Sequence, residues 1–110
     1  MTLRTSYGGH DLVVAETETQ SNVLTRRDFG GARGFVIQGP ATLPETCTVQ
    51  VSLDDGETFA DLVVGGEVVT VGADQAVAVD TVMAFDALRL EADGAAAADR
   101  MFLTMFLRDH

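Results

Sequence analysis

CTVQVSLDDGETFADLVV, residues 47–64, is the stretch on which the fold turns. Its first half alternates. Cys47, Val49, Val51 and Leu53 point one way, Thr48, Gln50 and Ser52 the other, which predicts a half-buried strand over 47–53. A second run, 58–64, follows after a turn rich in oxygen-bearing side chains. The pair therefore reads as a β-hairpin, with Gly56 at the position that needs a positive φ.

The same periodicity spreads outward in both directions. Further short strands are predicted at 11–15, 22–25, 34–38, 67–71, 76–80 and 87–92, and a longer one, RMFLTMFLR, at 100–108. Gly30-Gly31, Gly39-Pro40, Gly72 and Asp93-Gly94 punctuate them. Gly65-Gly66 between two valine runs is a two-residue hairpin signal, because both residues tolerate positive φ. Helix is nearly absent from the pattern. ADGAAAADR (92–100) is its best candidate and is too short for more than a turn. The expected fold is all-β: a single antiparallel β-sandwich, jelly-roll-like, of about eight short strands. Residues 11–110 form that domain, and residues 1–10, without periodicity, are expected as an extended N-terminal arm.

Strand 100–108 is apolar on both faces. Met101, Leu103, Met105 and Leu107 lie on one side, Phe102, Thr104 and Phe106 on the other. One side is expected in the core and the other at a subunit contact. Phe102 and Phe106 are taken as candidate partner-facing residues, together with Leu3, Arg4 and Tyr7 of the arm.

Composition narrows the function. The chain has 110 residues, 17 Asp+Glu against 7 Lys+Arg, and a net charge of −10. A surface of that sign repels phosphate backbones, so nucleic acid is not an expected partner. All the basic residues are Arg, and Arg26, Arg27 and Arg33 gather in TRRDFGGARG, where they could meet an acidic neighbour. With one cysteine, Cys47, no internal disulfide can form. Its parity places the thiol in the core. No apolar run reaches the ~18–20 residues that span a bilayer, and residues 1–20 lack the ~7–15-residue apolar stretch of a secretory signal. No membrane contact and synthesis in the cytoplasm are expected. The two histidines, His10 and His110, both stand near the ends, which is poor placement for a triad or zinc centre. Asp54 and Asp55 are adjacent, against the alternate spacing of an EF-hand, leaving an irregular Ca²⁺ site with Glu57 or Asp61 as the only metal reading. No catalytic residue, cofactor or metal is expected.

Ser52, Asp54, Gly56, Thr58 and Phe59 fit S-x-D-x-G-x-T-F. This resembles the Asp-box, a structural hairpin motif best known from sialidases. Asp54 would accept N–H groups within the turn, and Phe59 would anchor the hairpin in the core.

A wider pattern joins Pro40-Ala41, Thr48 to Ser52, Asp54 to Phe59, Val69-Thr70-Val71, Leu88-Arg89-Leu90 and Ala97 to Arg100. Across roughly residues 34–107 it is similar to small β-sandwich proteins of tailed-phage and prophage structural modules. The resemblance implies a virion component on the capsid surface, a decoration (cement) protein. Such a protein would bind the major capsid protein, most often as a homo-oligomer, with a trimer favoured. A head–tail connector, a tail or fibre-base protein, and a carbohydrate-binding or adhesion module are the alternatives.

Overall fold

The computed structural model describes residues 3–6, 11–30, 32–80 and 85–109. It is almost entirely β, 48% strand and 4% helix, and its strands form antiparallel sheets, as in a sandwich. The strands in chain order are β1 (Leu3–Ser6), β2 (Leu12–Val14), β3 (Leu24–Thr25), β4 (Gly34–Gln38), β5 (Cys47–Ser52), β6 (Ala60–Asp61), β7 (Val63–Val64), β8 (Glu67–Val68), β9 (Thr70–Val71), β10 (Ala76–Val79), β11 (Ala87–Ala92) and β12 (Arg100–Asp109).

The first sheet has the order β1-β12-β4-β10, with β2 also on β12. One edge of β12 is shared: β2 pairs with Arg100 to Phe102, and β1 pairs with Phe106 to Asp109. The other edge pairs with β4, Leu103 opposite Gln38 and Leu107 opposite Gly34. The second sheet has the order β3-β11-β5-β6, with β9 on the remaining part of β5. In the centre of that sheet, Leu90 stands opposite Val49 and Ala92 opposite Cys47.

Two apolar inner faces make the core. Leu12, Val14, Phe35, Ile37, Phe102 and Phe106 come from the first sheet. Leu24, Cys47, Val49, Val71, Leu88 and Leu90 come from the second, with Phe29 and Phe85 at one end. The Phe29 ring lies 5.7 Å from Phe106 and 5.6 Å from Phe85. Such tilted pairs place a ring edge near a neighbour's π face, the arrangement aromatic quadrupoles favour. Glu45 enters this interior paired with Arg100, Nε to Oε1 at 3.2 Å, both side chains almost withdrawn from solvent.

Three expectations are corrected. Phe102 and Phe106 are fully buried, so they are core residues and face no partner. The open side of β12 carries Met101 and Leu103. The aromatic side goes inward because it fills the space between two sheets ~10 Å apart better than the thinner Met/Leu side does. Leu3 and Arg4 do not belong to a free arm: their backbone is strand β1, with Leu3 opposite Asp109 and Arg4 opposite Arg108. The order of hydrogen-bonding partners along β12 leaves an edge there for β1 to occupy. Tyr7 lies outside the described residues. The third correction concerns Phe59 and is taken up with its turn below.

The short helix α1 (Arg26–Phe29) was not foreseen. Its signal is in the sequence: Thr25 precedes it, and Asp28, three residues on, accepts the Thr25 N–H at 2.8 Å. With the Thr25 side chain set against the Asp28 backbone in return, this is a capping box with Asp in place of the usual Glu. The alanine segment 95–98, by contrast, forms no helix.

Candidate functional site

The Asp-box turn joins β5 to β6. Ser52 is fully buried. Its hydroxyl accepts the N–H of Gly56 at 2.8 Å and of Asp54 at 3.3 Å, and donates to Asp54 Oδ1 at 2.7 Å. Asp54 Oδ1 accepts the Thr58 N–H at 2.9 Å, and Oδ2 accepts the Thr58 hydroxyl. These bonds, those from Thr58 first, pull the Asp54 carboxyl down to about 2. Asp55 and Gly56 both take positive φ, 63° and 87°. The turn therefore needs two left-handed residues where one was expected.

Phe59 is half-buried on the outer face of the second sheet rather than in the core. The Arg89 guanidinium lies over its ring, 3.9 Å from the centroid. Arg89 Nε also donates to Gln50 Oε1 at 2.9 Å, and Gln50 Nε2 to Asp61 Oδ1 at 3.0 Å. The outer face of this sheet is thus a ladder of polar contacts.

The turn also meets the arginine segment, which is distant in sequence. Asp86 Oδ2 accepts the Asp55 N–H at 3.2 Å, and Asp86 Oδ1 accepts Arg26 Nε at 2.8 Å. The backbone closes the same junction, with Asp86 N donating to Ser52 O and Arg26 N to Asp86 O. Between them lies an open cleft of about 600 Å³ lined by Thr25, Arg26, Arg27, Asp28, Asp55 and Asp86. Two of the three sequence-selected arginines are engaged within the chain: Arg26 with Asp86, and Arg33 with Asp80 at 3.3 Å. Arg27 is exposed and makes no ion pair among the described residues.

The chemistry of this cleft is modest. Its carboxylates are acceptors for backbone and arginine N–H groups, and Asp54 beside it is held ionised. Among the described residues no group of three His, Cys, Asp or Glu side chains is placed to hold a metal ion. Cys47 is buried, and its thiol is pushed up to about 11 by desolvation, with Glu45 and Asp93 adding to it. It is protonated at neutral pH and a poor nucleophile.

Leu53 in the turn and Val23 apart, the exposed large apolar residues fall elsewhere. Leu62 N donates to Val49 O and Val49 N to Val69 O, which seats the base of a hairpin on β5. Beyond that base, β7 and β8 pair only with each other and join neither sheet. Gly65 and Gly66 close the hairpin with φ of 63° and 84°, as a type I′ turn demands. Val63, Val64 and Val68 along it are all exposed. The second apolar area is the outer face of the first sheet. Val13 stands opposite Met101, Leu103 opposite Gln38, Met105 opposite Val36, and Gln38 and Val36 opposite Ala76 and Ala78. Sequence reasoning selected none of these residues as a site except through the strand that carries Met101 and Leu103. The valines of the hairpin had a visible signal, an uninterrupted apolar run on both sides of Gly65-Gly66.

The fold and these surfaces define an all-β antiparallel sandwich with apolar protrusions. No protein-family model, curated protein or solved structure matches the chain.

Proposed function

We propose that this chain is a non-enzymatic structural protein of a virion, a capsid decoration protein that binds the outer surface of the shell and braces neighbouring coat subunits. The observation that carries the reading is the projecting hairpin 62–69, with Val63, Val64 and Val68 held clear of both sheets. Clustered valines on a two-stranded arm are costly to leave in water, a cost that a partner covering them would relieve. The acidic remainder, at net −10, keeps such a surface protein soluble between binding events. The tailed-phage resemblance of residues 34–107 supplies the kind of partner, the major capsid protein.

The test is made on particles purified from the source of this sequence. Quantitative mass spectrometry should find the chain in copy number comparable to the coat subunit. A few copies per particle would move it to the neck or tail, and none would overturn the virion reading. On particles stripped of the chain, Val64→Asp with Val68→Asp should abolish rebinding while shifting the melting temperature by no more than about 3 °C, since both positions are exposed.

A further inference from the structure

The open edges of the two sheets are guarded unequally. On the first sheet, β1 carries Arg4. The outer edge of β2 is covered by Asn22, whose Oδ1 accepts the Val13 N–H at 2.7 Å and whose own N–H reaches Val13 O at 3.3 Å. On the second sheet, β3 and β9 are two residues long and β6 carries Asp61. Strand β10 is different. It ends the first sheet, pairs only with β4, and reads AVAV, without charge, proline or glycine. Charges, prolines, covering segments and extreme shortness keep edge strands from pairing with other chains, and β10 has none of these.

The register shows which main-chain groups are open. Gly39 N donates to Gln75 O at 2.9 Å, and the β4–β10 ladder continues that pairing with Ala76 opposite Gln38 and Val77 opposite Ile37. Bonded pairs in an antiparallel ladder recur at every second residue. Val77 and Val79 therefore bond to β4, while Ala76 and Ala78 turn their N–H and C=O groups outward. Both alanines are exposed.

We infer that two copies of the chain join along this edge, β10 antiparallel to β10 about a two-fold axis at Ala78, so that their first sheets become one. Register and charge select the occupant. Centred on Ala78, each Ala78 meets its own copy and each Ala76 meets Asp80 of the other, with about six main-chain hydrogen bonds between them. Asp80 then stands opposite an alanine, and within its own chain it is answered by Arg33 at 3.3 Å. Centred on Val77 instead, the pair would set Asp74 against Asp80 twice, and like charges directly opposite are unfavourable. Centred on Ala76, it would run off the strand at Asp74, where φ is 56°. A second copy thus brings an uncharged strand in one register that opposes no acids, in a chain of net charge −10. Main-chain bonds carry such strand addition, and the net repulsion between copies makes it reversible and stronger as salt rises.

The inference does not rest on the decoration reading, whose test is made on particles while this one is made in free solution. The full chain is followed by sedimentation velocity from about 1 to 300 µM in ~0.15 M sodium chloride, where the screening length is ~8 Å. Wild type should pass from monomer to dimer. Ala78→Glu and Ala78→Lys, each facing its own copy across the axis, should weaken dimerisation by about tenfold or more, and mixing the two should restore a heterodimer. Ala78→Pro removes an outward N–H and no ladder bond, so it should keep the circular dichroism spectrum and lose the dimer. Met101→Glu, at a residue 56% exposed on the outer face of the same sheet, should dimerise as wild type does, which separates edge pairing from face-to-face packing. A wild-type monomer throughout the range, a trimer, a dimer indifferent to Ala78→Glu and Ala78→Pro, or a dimer lost in Met101→Glu would each overturn the proposal.

Discussion

Ser52 and Asp54 show how one serine and one carboxylate hold a turn of two left-handed residues. The Ser52 hydroxyl, fully buried, satisfies two backbone N–H groups. Ser52→Ala should cost about 2 kcal/mol in urea unfolding, since both donors lose their acceptor and Asp54 loses a donor. Asp54 gives a pH signature. Its folded pKa, about 2, lies below the ordinary value of 3.8. The stabilisation it provides is therefore complete above pH ~4 and is lost as pH falls from ~4 towards ~2. Thermal melts of wild type and Asp54→Asn should differ most above pH 4 and converge near pH 2. The motif S-x-D-x-G-x-T-F made Asp54 legible in the sequence as an acceptor within the turn, whereas the bonds made by Ser52 and Thr58 are seen only in the folded turn. The position of Phe59 was not legible. Side-chain parity cannot be counted through a turn in which Asp55 and Gly56 both reverse the backbone, and Phe59 emerges on the outer face.

Strands whose two faces differ in polarity were the readable elements. β11 begins and ends where its alternation does, at Ala87–Ala92, and β4 spans the apolar run bounded by Gly34 and Gln38. Strand β12 was readable as a strand but not as to its facing, because both its sides are apolar and period two says nothing about which one turns inward. Only the assembled sandwich decides, by burying Phe102, Thr104 and Phe106. The consequence is measurable. Phe106→Ala should destabilise by about 3–5 kcal/mol in urea unfolding through the cavity it leaves. Leu103→Ala, one face over, should stay below about 1 kcal/mol. Helix α1 escaped the periodicity search because four residues hold less than a hydrophobic repeat. Its cap was the only available sign. The long hairpin 58–71 was foreseen as two strands. Its splitting into β6, β7, β8 and β9 follows from β5, which takes only the base of the hairpin and lets its tip go.

The whole molecule sets an apolar interior against a surface with more than twice as many acids as bases. Repulsion among those carboxylates works against compactness, and only the core and a few ion pairs such as Glu45–Arg100 oppose it. Raising sodium chloride from about 10 to 150 mM shortens the screening length to ~8 Å and should raise the melting temperature by about 2–4 °C in differential scanning calorimetry. Composition made the acidic surface legible, but the concentration of exposed apolar groups on one sheet and one hairpin arises only from the topology. That topology also has a bearing on how the molecule comes into being. The first described strand, β1, lies beside the end of the last, β12, and β12 stands between β4 on one side and β1 and β2 on the other. During synthesis, β1, β2 and β4 leave the ribosome long before the strand that joins them. The first sheet cannot close until Arg100 to Asp109 has emerged, so its assembly is paced by these distant pairings. A chain halted short of Arg100 would leave β1, β2 and β4 with nothing between them and the second sheet without Phe102 and Phe106 against its inner face.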